Sequence, residues 1–151
     1  MPTIPRIYLD ACALNRLTDP PAQLRIVLES AAVLRLLQAA RTNQIRWIAS
    51  SALAAEIEND PDEQRRKIVL ALFRFAAEIH RPSRLAAVRG RQLHLLGYGK
   101  FDALHLAMAE EHRCDVFLTT DDRLLRKARR NLGSPTVRVE NPLNYLKEAP
   151  L

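Results

Sequence analysis

The sequence predicts a three-layer α/β/α sandwich built around a central parallel sheet. Short β-rich runs alternate along the chain with segments of helical period, and that alternation places helices on both faces of the sheet. At 151 residues the chain has the length of one domain with a real core. No internal repeat, low-complexity stretch or linker divides it, so residues 1–151 are read as a single domain.

Arg6–Asp10 is short, apolar and β-rich and reads as a central strand. Ala22–Arg41 carries Leu24, Val27, Leu28, Ala31, Leu34 and Leu37 at helical spacing, with Val33 less well placed and Asp19-Pro20-Pro21 as the start signal. Arg25 and Glu29 are spaced i, i+4 there, a weak surface pair. Ile45–Ala49 is the second strand, after which Ser50 or Ser51 caps a short helix. Asn59–Asp62 breaks the chain ahead of two helical stretches, Asp62–Ile79 and Ser83–Leu96. Gly97-Tyr98-Gly99 is expected to be a flexible hinge. A helix opened by Asp102 follows, then a third strand at Asp115–Thr119 and a basic helix over Asp122–Asn131 ended by Gly133. Pro135–Val139 is the fourth strand, and Asn141-Pro142 opens a terminal helix with a cap and a proline at its first position.

Composition narrows the function classes. No run approaches the ~20 apolar residues of a membrane span, and Met1–Arg6 lacks a signal-peptide layout. A cytoplasmic protein with no membrane association is therefore expected. Cys12 and Cys114, the two cysteines, are read as reduced, buried thiols. Without a Cys-x-x-Cys, or histidines at i, i+4 spacing, a zinc site is not expected. The net charge of +6 comes mostly from arginine, with a cluster at Arg123–Arg130 directly after Asp121. Arg123, Arg126, Lys127 and Arg130 fall on one helical face, with Leu124, Leu125, Ala128 and Leu132 left for the buried side. Such a stripe fits a phosphate-contacting surface, and also fits an ordinary solvated face. With 5% aromatic residues, base recognition by a stacking platform is disfavoured.

Asp10, Glu56, Asp102 and Asp121 lie far apart in sequence, yet each stands at the edge of an apolar segment, just past a β-run or near a helix start. In a parallel α/β sheet the carboxyl ends of several strands meet in one crevice, where ligands bind. Carboxylates converging there would repel one another unless a divalent cation neutralised them. An acidic, metal-demanding pocket in a basic protein points to a metal-dependent enzyme acting on a polyanion.

The set Leu9–Asn15, Ser51-x4-Glu56, Phe101–Ala109 and Phe117–Asp121 resembles the PIN-domain family. The resemblance runs from Arg6 to about Val139. It implies a compact α/β/α nuclease fold, Mg²⁺- or Mn²⁺-dependent ribonuclease activity, and often service as the toxin of a toxin–antitoxin pair of the VapC type. Carried over, the family's four acidic positions match Asp10, Glu56, Asp102 and Asp121, and its hydroxyl beside the last acid matches Thr119. Asp10, Asp102 and Asp121 would then contact metal directly or through water. Glu56 would orient or deprotonate the attacking water, or hold a second ion. The family commonly has Ser or Thr directly after the first Asp. Ala11 stands there, which removes a hydrogen bond that Asn15 is expected to replace with another polar contact. Asp122 is read as the cap of the basic helix rather than an auxiliary ligand. His105, between Leu104 and Leu106, is read as a packed helix histidine. RNA would be bound by Asn15, Thr119, Arg123, Arg126, Lys127 and Arg130. A cognate antitoxin is an implied partner, and the apolar surface of the helices within Asp62–Leu96 points to a homodimer.

Two rival readings compete with this one. A receiver-like phosphoryl-transfer domain needs adjacent acids after the first strand and a lysine ending a late strand; neither is present. A non-catalytic RNA-binding or protein-interaction module is favoured slightly by Ala11 and opposed by the complete acidic set.

Overall fold

The structure is a computed structural model and describes residues 3–149 and 151. Five parallel strands form one sheet in the order β3-β2-β1-β4-β5, where β1 is Arg6–Leu9, β2 Arg46–Ser50, β3 Glu78–His80, β4 Val116–Leu118 and β5 Arg138–Glu140. The helices are α1 (Ala11–Asn15), α2 (Leu24–Arg41), α3 (Ser51–Glu58), α4 (Glu63–Ala71), α5 (Arg84–Leu96), α6 (Lys100–Glu111), α7 (Asp122–Arg129) and α8 (Pro142–Glu148).

The period-2 alternation of strand side chains divides the sheet between two cores. Ile7, Leu9, Trp47, Ala49, Val116 and Leu118 point to one face, where Val33, Leu36 and Leu37 of α2, Leu53 and Ile57 of α3, and Tyr145 of α8 cover them. Tyr8, Ile48 and Phe117 point to the other, against Ala86 and Leu93 of α5, Ala103 and Leu106 of α6, and Leu124 of α7. This is the expected three-layer sandwich.

Local chemistry sets the element ends. Ser50, Asp62, Ser83 and Asn141 each cap a helix by accepting a backbone N–H, at Leu53, Arg65, Ala86 and Leu143 respectively. Gly97, at φ 125°, ends α5. The Gly97-Tyr98-Gly99 segment is no hinge, however. Tyr98 is buried and its hydroxyl donates to Leu132 O at 2.8 Å, pinning the turn to the segment after α7.

Three further expectations are corrected. The stretch Asp62–Ile79 is not one helix: α4 stops at Ala71, a 3₁₀ turn spans Leu72–Phe75, and Glu78–His80 joins the sheet as a fifth strand. Ala77 N–H donates to Trp47 O at 2.9 Å, so the open edge of β2 captures a segment whose own propensity is helical. In α2 the buried stripe is Glu29, Ala32, Val33, Leu36, Leu37 and Ala40, whereas Leu24, Val27, Leu28 and Leu34 are exposed. Val33, the misfit of the expected face, belongs to the true one. Finally, Glu29 does pair with Arg25, but as a buried carboxylate rather than at the surface. Its Oε1 accepts from Arg16 Nε at 2.9 Å and Arg25 Nε at 3.2 Å, and Asn141 Nδ2 donates to its Oε2. The carboxylate thus ties α2 to the ends of α1 and β5.

Candidate active site

β1 and β4 are hydrogen-bonded neighbours, so the residues just past their carboxyl ends emerge side by side. Asp10 follows β1 and caps α1: its Oδ1 accepts Ala11 N–H at 2.7 Å. Its Oδ2 accepts from Thr119 Oγ1 at 2.9 Å and from the Cys12 thiol at 3.2 Å. Thr119, just past β4 and fully buried, also accepts Asp121 N–H at 3.1 Å, joining the first acid to the last. Alanine at position 11 offers no hydroxyl, and the side-chain donors to Asp10 are Cys12 and Thr119. Burial and the charge of Asp10 push the Cys12 thiol well up, so it remains a protonated donor. Both cysteines are free; Cys114 is buried and Cys12 half-buried.

Glu56 comes from the second turn of α3, and its Oε1 lies 2.8 Å from His105 Nε2. His105 sits on α6 one turn beyond Asp102 and is fully buried, as expected of a packed histidine. Yet it also faces the acids: ligand atoms of Asp10, Glu56 and His105 lie within 4.8 Å of one another. Asp102 stands in the first turn of α6, close against Gly99, where an added Cβ would come 3.1 Å from its Oδ2. Burial, and then the charges of Asp10 and Asp121, push the Asp102 carboxyl up to about 7; His105 opposes the shift and Glu56 adds to it. Burial raises Asp10 as well.

Asp121 follows β4 and is itself the cap of α7, its Oδ1 accepting Arg123 N–H at 2.9 Å and Leu124 N–H at 3.4 Å. Asp122 is the first helical residue instead of the cap, and pairs with Arg25 at 2.7 Å. The cap falls one residue early because Asp121 retains extended backbone, at ψ 109°. One oxygen of Asp121 is thus committed to the helix and the other is free of that duty.

The structure therefore brings Asp10 and Glu56 together with His105, and sets Asp102 and Asp121 near enough for their charges to be felt. Asn15, at the end of α1, lines a 540 Å³ cleft with Ala11, Cys12, Glu56, Asn59 and Arg65. Arg123 and Arg126 on α7 and Arg130 at its C-terminal cap are exposed, with Leu124 and Leu125 buried beneath, while Lys127 donates to Gly97 O at 2.8 Å. Tyr8, Ser50 and Cys12 join the site without belonging to the acidic pattern. The only sequence signal for Tyr8 and Cys12 is their place two residues either side of Asp10.

The donor set suits a hard divalent cation. Two carboxylates already share ligand distance, and a third is pushed up to about 7 by burial and then by its neighbours' charges, the second of which a cation would relieve. The PIN-domain family model matches residues 7–130.

The chain belongs to the PIN-domain family.

That match spans the four acids and the basic helix of this PIN domain. Among solved structures, the chain is similar to one in the crystal structure of VapBC2 from Rickettsia felis bound to a DNA fragment from its promoter. The TM-score is 0.58 and the identity 16%, over 90% of this chain and 98% of that one. At that identity the likeness concerns the fold. No curated protein matches the sequence.

Proposed function

We propose that this PIN domain is a Mg²⁺- or Mn²⁺-dependent endoribonuclease, serving as the toxin of a toxin–antitoxin pair in the cytoplasm. The observation that carries the reading is the convergence of Asp10 and Glu56 within ligand distance, beside an Asp102 whose carboxyl is pushed up to about 7. Asp10, Glu56, Asp102 and Asp121 would hold the ion. A bound divalent ion supplies an activated water and charge stabilisation for the phosphate oxygens. Thr119 and Cys12 fix the rotamer of Asp10 through its Oδ2. Glu56, which lines the cleft, would orient the attacking water. The exposed guanidinium groups of Arg123, Arg126 and Arg130 supply a positive border for the RNA backbone, with Lys127 held back at Gly97 O. Asn15, in the cleft wall, is available to hydrogen-bond a nucleotide.

The partner proposals rest on surface and fold. Val88, Leu85 and Leu95 of α5 stay exposed, as do Leu24 and Val27 of α2, which suits a homodimer or an antitoxin segment. The similar Rickettsia felis structure contains VapBC2, in keeping with a protein partner. No helix among the described residues is long and apolar enough to cross a membrane. One observation favours a catalytically weak RNA-binding or interaction module: Asp10 and Asp121 each spend an oxygen capping a helix. Cleavage of a mixed single-stranded RNA pool with and without Mn²⁺ separates the readings. The nuclease cleaves only with metal and loses cleavage in Asp10→Asn; a binding module retains RNA without cutting it. Equal cleavage by both proteins would reveal a contaminant and overturn the assignment.

A further inference from the structure

We infer that His105 is the positioning residue for Glu56, holding its proton on Nε2 at the end of a one-way hydrogen-bond chain that begins inside α3 itself. The role given to Glu56 rests on the proposed function; the direction of the chain does not.

Four contacts in series connect the backbone of α3 to the Glu56 side chain. Leu53 N–H donates to Ser50 Oγ at 3.1 Å. Ser50 Oγ lies 2.7 Å from Tyr8 Oη, Tyr8 Oη 2.8 Å from His105 Nδ1, and His105 Nε2 2.8 Å from Glu56 Oε1. Ser50, Tyr8 and His105 are each 0% exposed, so solvent supplies no missing partner.

Proton counting decides the direction. The Leu53 amide can only donate, so Ser50 Oγ accepts there. If Ser50 then donates to Tyr8 Oη, Tyr8 donates to Nδ1 and Nε2–H donates to the Glu56 carboxylate. Every hydrogen in the series then has an acceptor. With a proton on Nδ1 the order reverses. Tyr8 accepts from the imidazole and donates to Ser50, and the Ser50 hydroxyl hydrogen is left without an acceptor among the described residues. A sealed, unpaired hydroxyl is costly, so of the two tautomers of the neutral ring the chain selects the one with its proton on Nε2. The imidazole cannot turn to another partner either. Tyr8 stacks on Phe117 at 5.4 Å, and the His105 ring is flanked by Tyr8 at 5.6 Å and Phe101 at 6.1 Å.

The path runs from the cap of α3 through β1 and α6 and back to α3, so it closes a ring of three elements around Glu56. Asp10 lies two residues beyond Tyr8 on the same strand exit. The ring thereby fixes the Glu56 carboxylate relative to Asp10, the spacing that a shared cation requires.

The protonation site is read directly in metal-free protein carrying ¹⁵N-labelled histidine. In the neutral ring, reached by raising the pH, two-bond ¹H–¹⁵N correlations are expected to show the His105 proton on Nε2. A neutral ring with its proton on Nδ1 overturns the chain. The positioning role is read by Mn²⁺ titration calorimetry. His105→Gln, whose amide can donate to Glu56 and accept from Tyr8, should bind Mn²⁺ close to wild type. His105→Leu, lacking both, should bind ~10–100-fold more weakly. Wild-type affinity in a folded His105→Leu, checked by its melting curve, overturns the role. A wild type that fails to bind Mn²⁺ defeats the metal-dependent reading instead, and the ¹⁵N spectrum still decides the chain.

Discussion

With its carboxyl pushed up to about 7, Asp102 holds a proton in the metal-free protein over a range where the unfolded chain, at an ordinary value of 3.8, has released it. The folded state therefore binds the proton more tightly. Its contribution is full below about pH 4 and is lost as pH rises through 7. A shift of about three units sets a ceiling near 4 kcal/mol, which water in the open cleft reduces to about 1–2 kcal/mol. Chemical denaturation of metal-free protein at pH 5 and pH 8 should show wild type losing that much relative to Asp102→Asn. Above neutrality Asp102→Asn should be the more stable protein. An equal pH slope in both would show that Asp102 carries no such strain. The placement of Asp10, Asp102 and Asp121 at element ends was legible in the sequence, whereas Glu56, in the second turn of α3, was read only from its register to Ser51. The capping duties of Asp10 and Asp121 were not legible, since they depend on which residue turns first into the helix. The role of Cys12 was hidden for a related reason: only the α1 turn brings its sulfur back over Asp10.

At the scale of elements, α2 shows how far periodicity reaches. Its helical period was readable, but two apolar stripes share the helix, and only the position of the sheet decides which is buried. Glu29 lies on the buried stripe with Arg16, Arg25 and Asn141 around it. Glu29→Gln keeps the shape and removes the charge, so urea denaturation should show a loss of about 1–3 kcal/mol. A neutral result would mean that the partners reach water without cost. β3 was missed because its strand character is imposed by β2, an interaction that no local window contains. The basic helix α7 was legible as a helix, with Leu124 and Leu125 buried as read and Lys127 half-buried at Gly97 O. Neutralising Arg126 and Arg130 together should weaken RNA binding at low salt and flatten the dependence of affinity on salt, by about one unit for each phosphate no longer neutralised. Single-turnover cleavage at saturating RNA should change little. Unaltered low-salt binding would make the stripe an ordinary solvated face.

Across the whole molecule, the acids are supplied by segments reaching from Asp10 to Asp121, so an ion held among them would link β1, α3, α6 and β4. Millimolar Mn²⁺ should raise the melting temperature of wild type by mass action, and by much less in Asp10→Asn. A curve indifferent to metal would count against a formed site. The sandwich itself was readable from the alternation of strands and helices, whereas its strand order was not, since pairing between distant strands leaves no local signal. That order leaves β3 and β5 as the two rims of the sheet, each three residues long and each ionisable at both ends: Glu78-Ile79-His80 and Arg138-Val139-Glu140. Glu78 is gripped by Arg6 at 2.6 Å, and Glu140 by Arg129 at 3.3 Å. Rims this short and this charged offer little template to an incoming strand. The sheet is thereby guarded against stacking rim to rim into fibrils, and replacing Arg138 and Glu140 by valine should remove that guard on one side, with thioflavin-positive aggregates forming on mild heating.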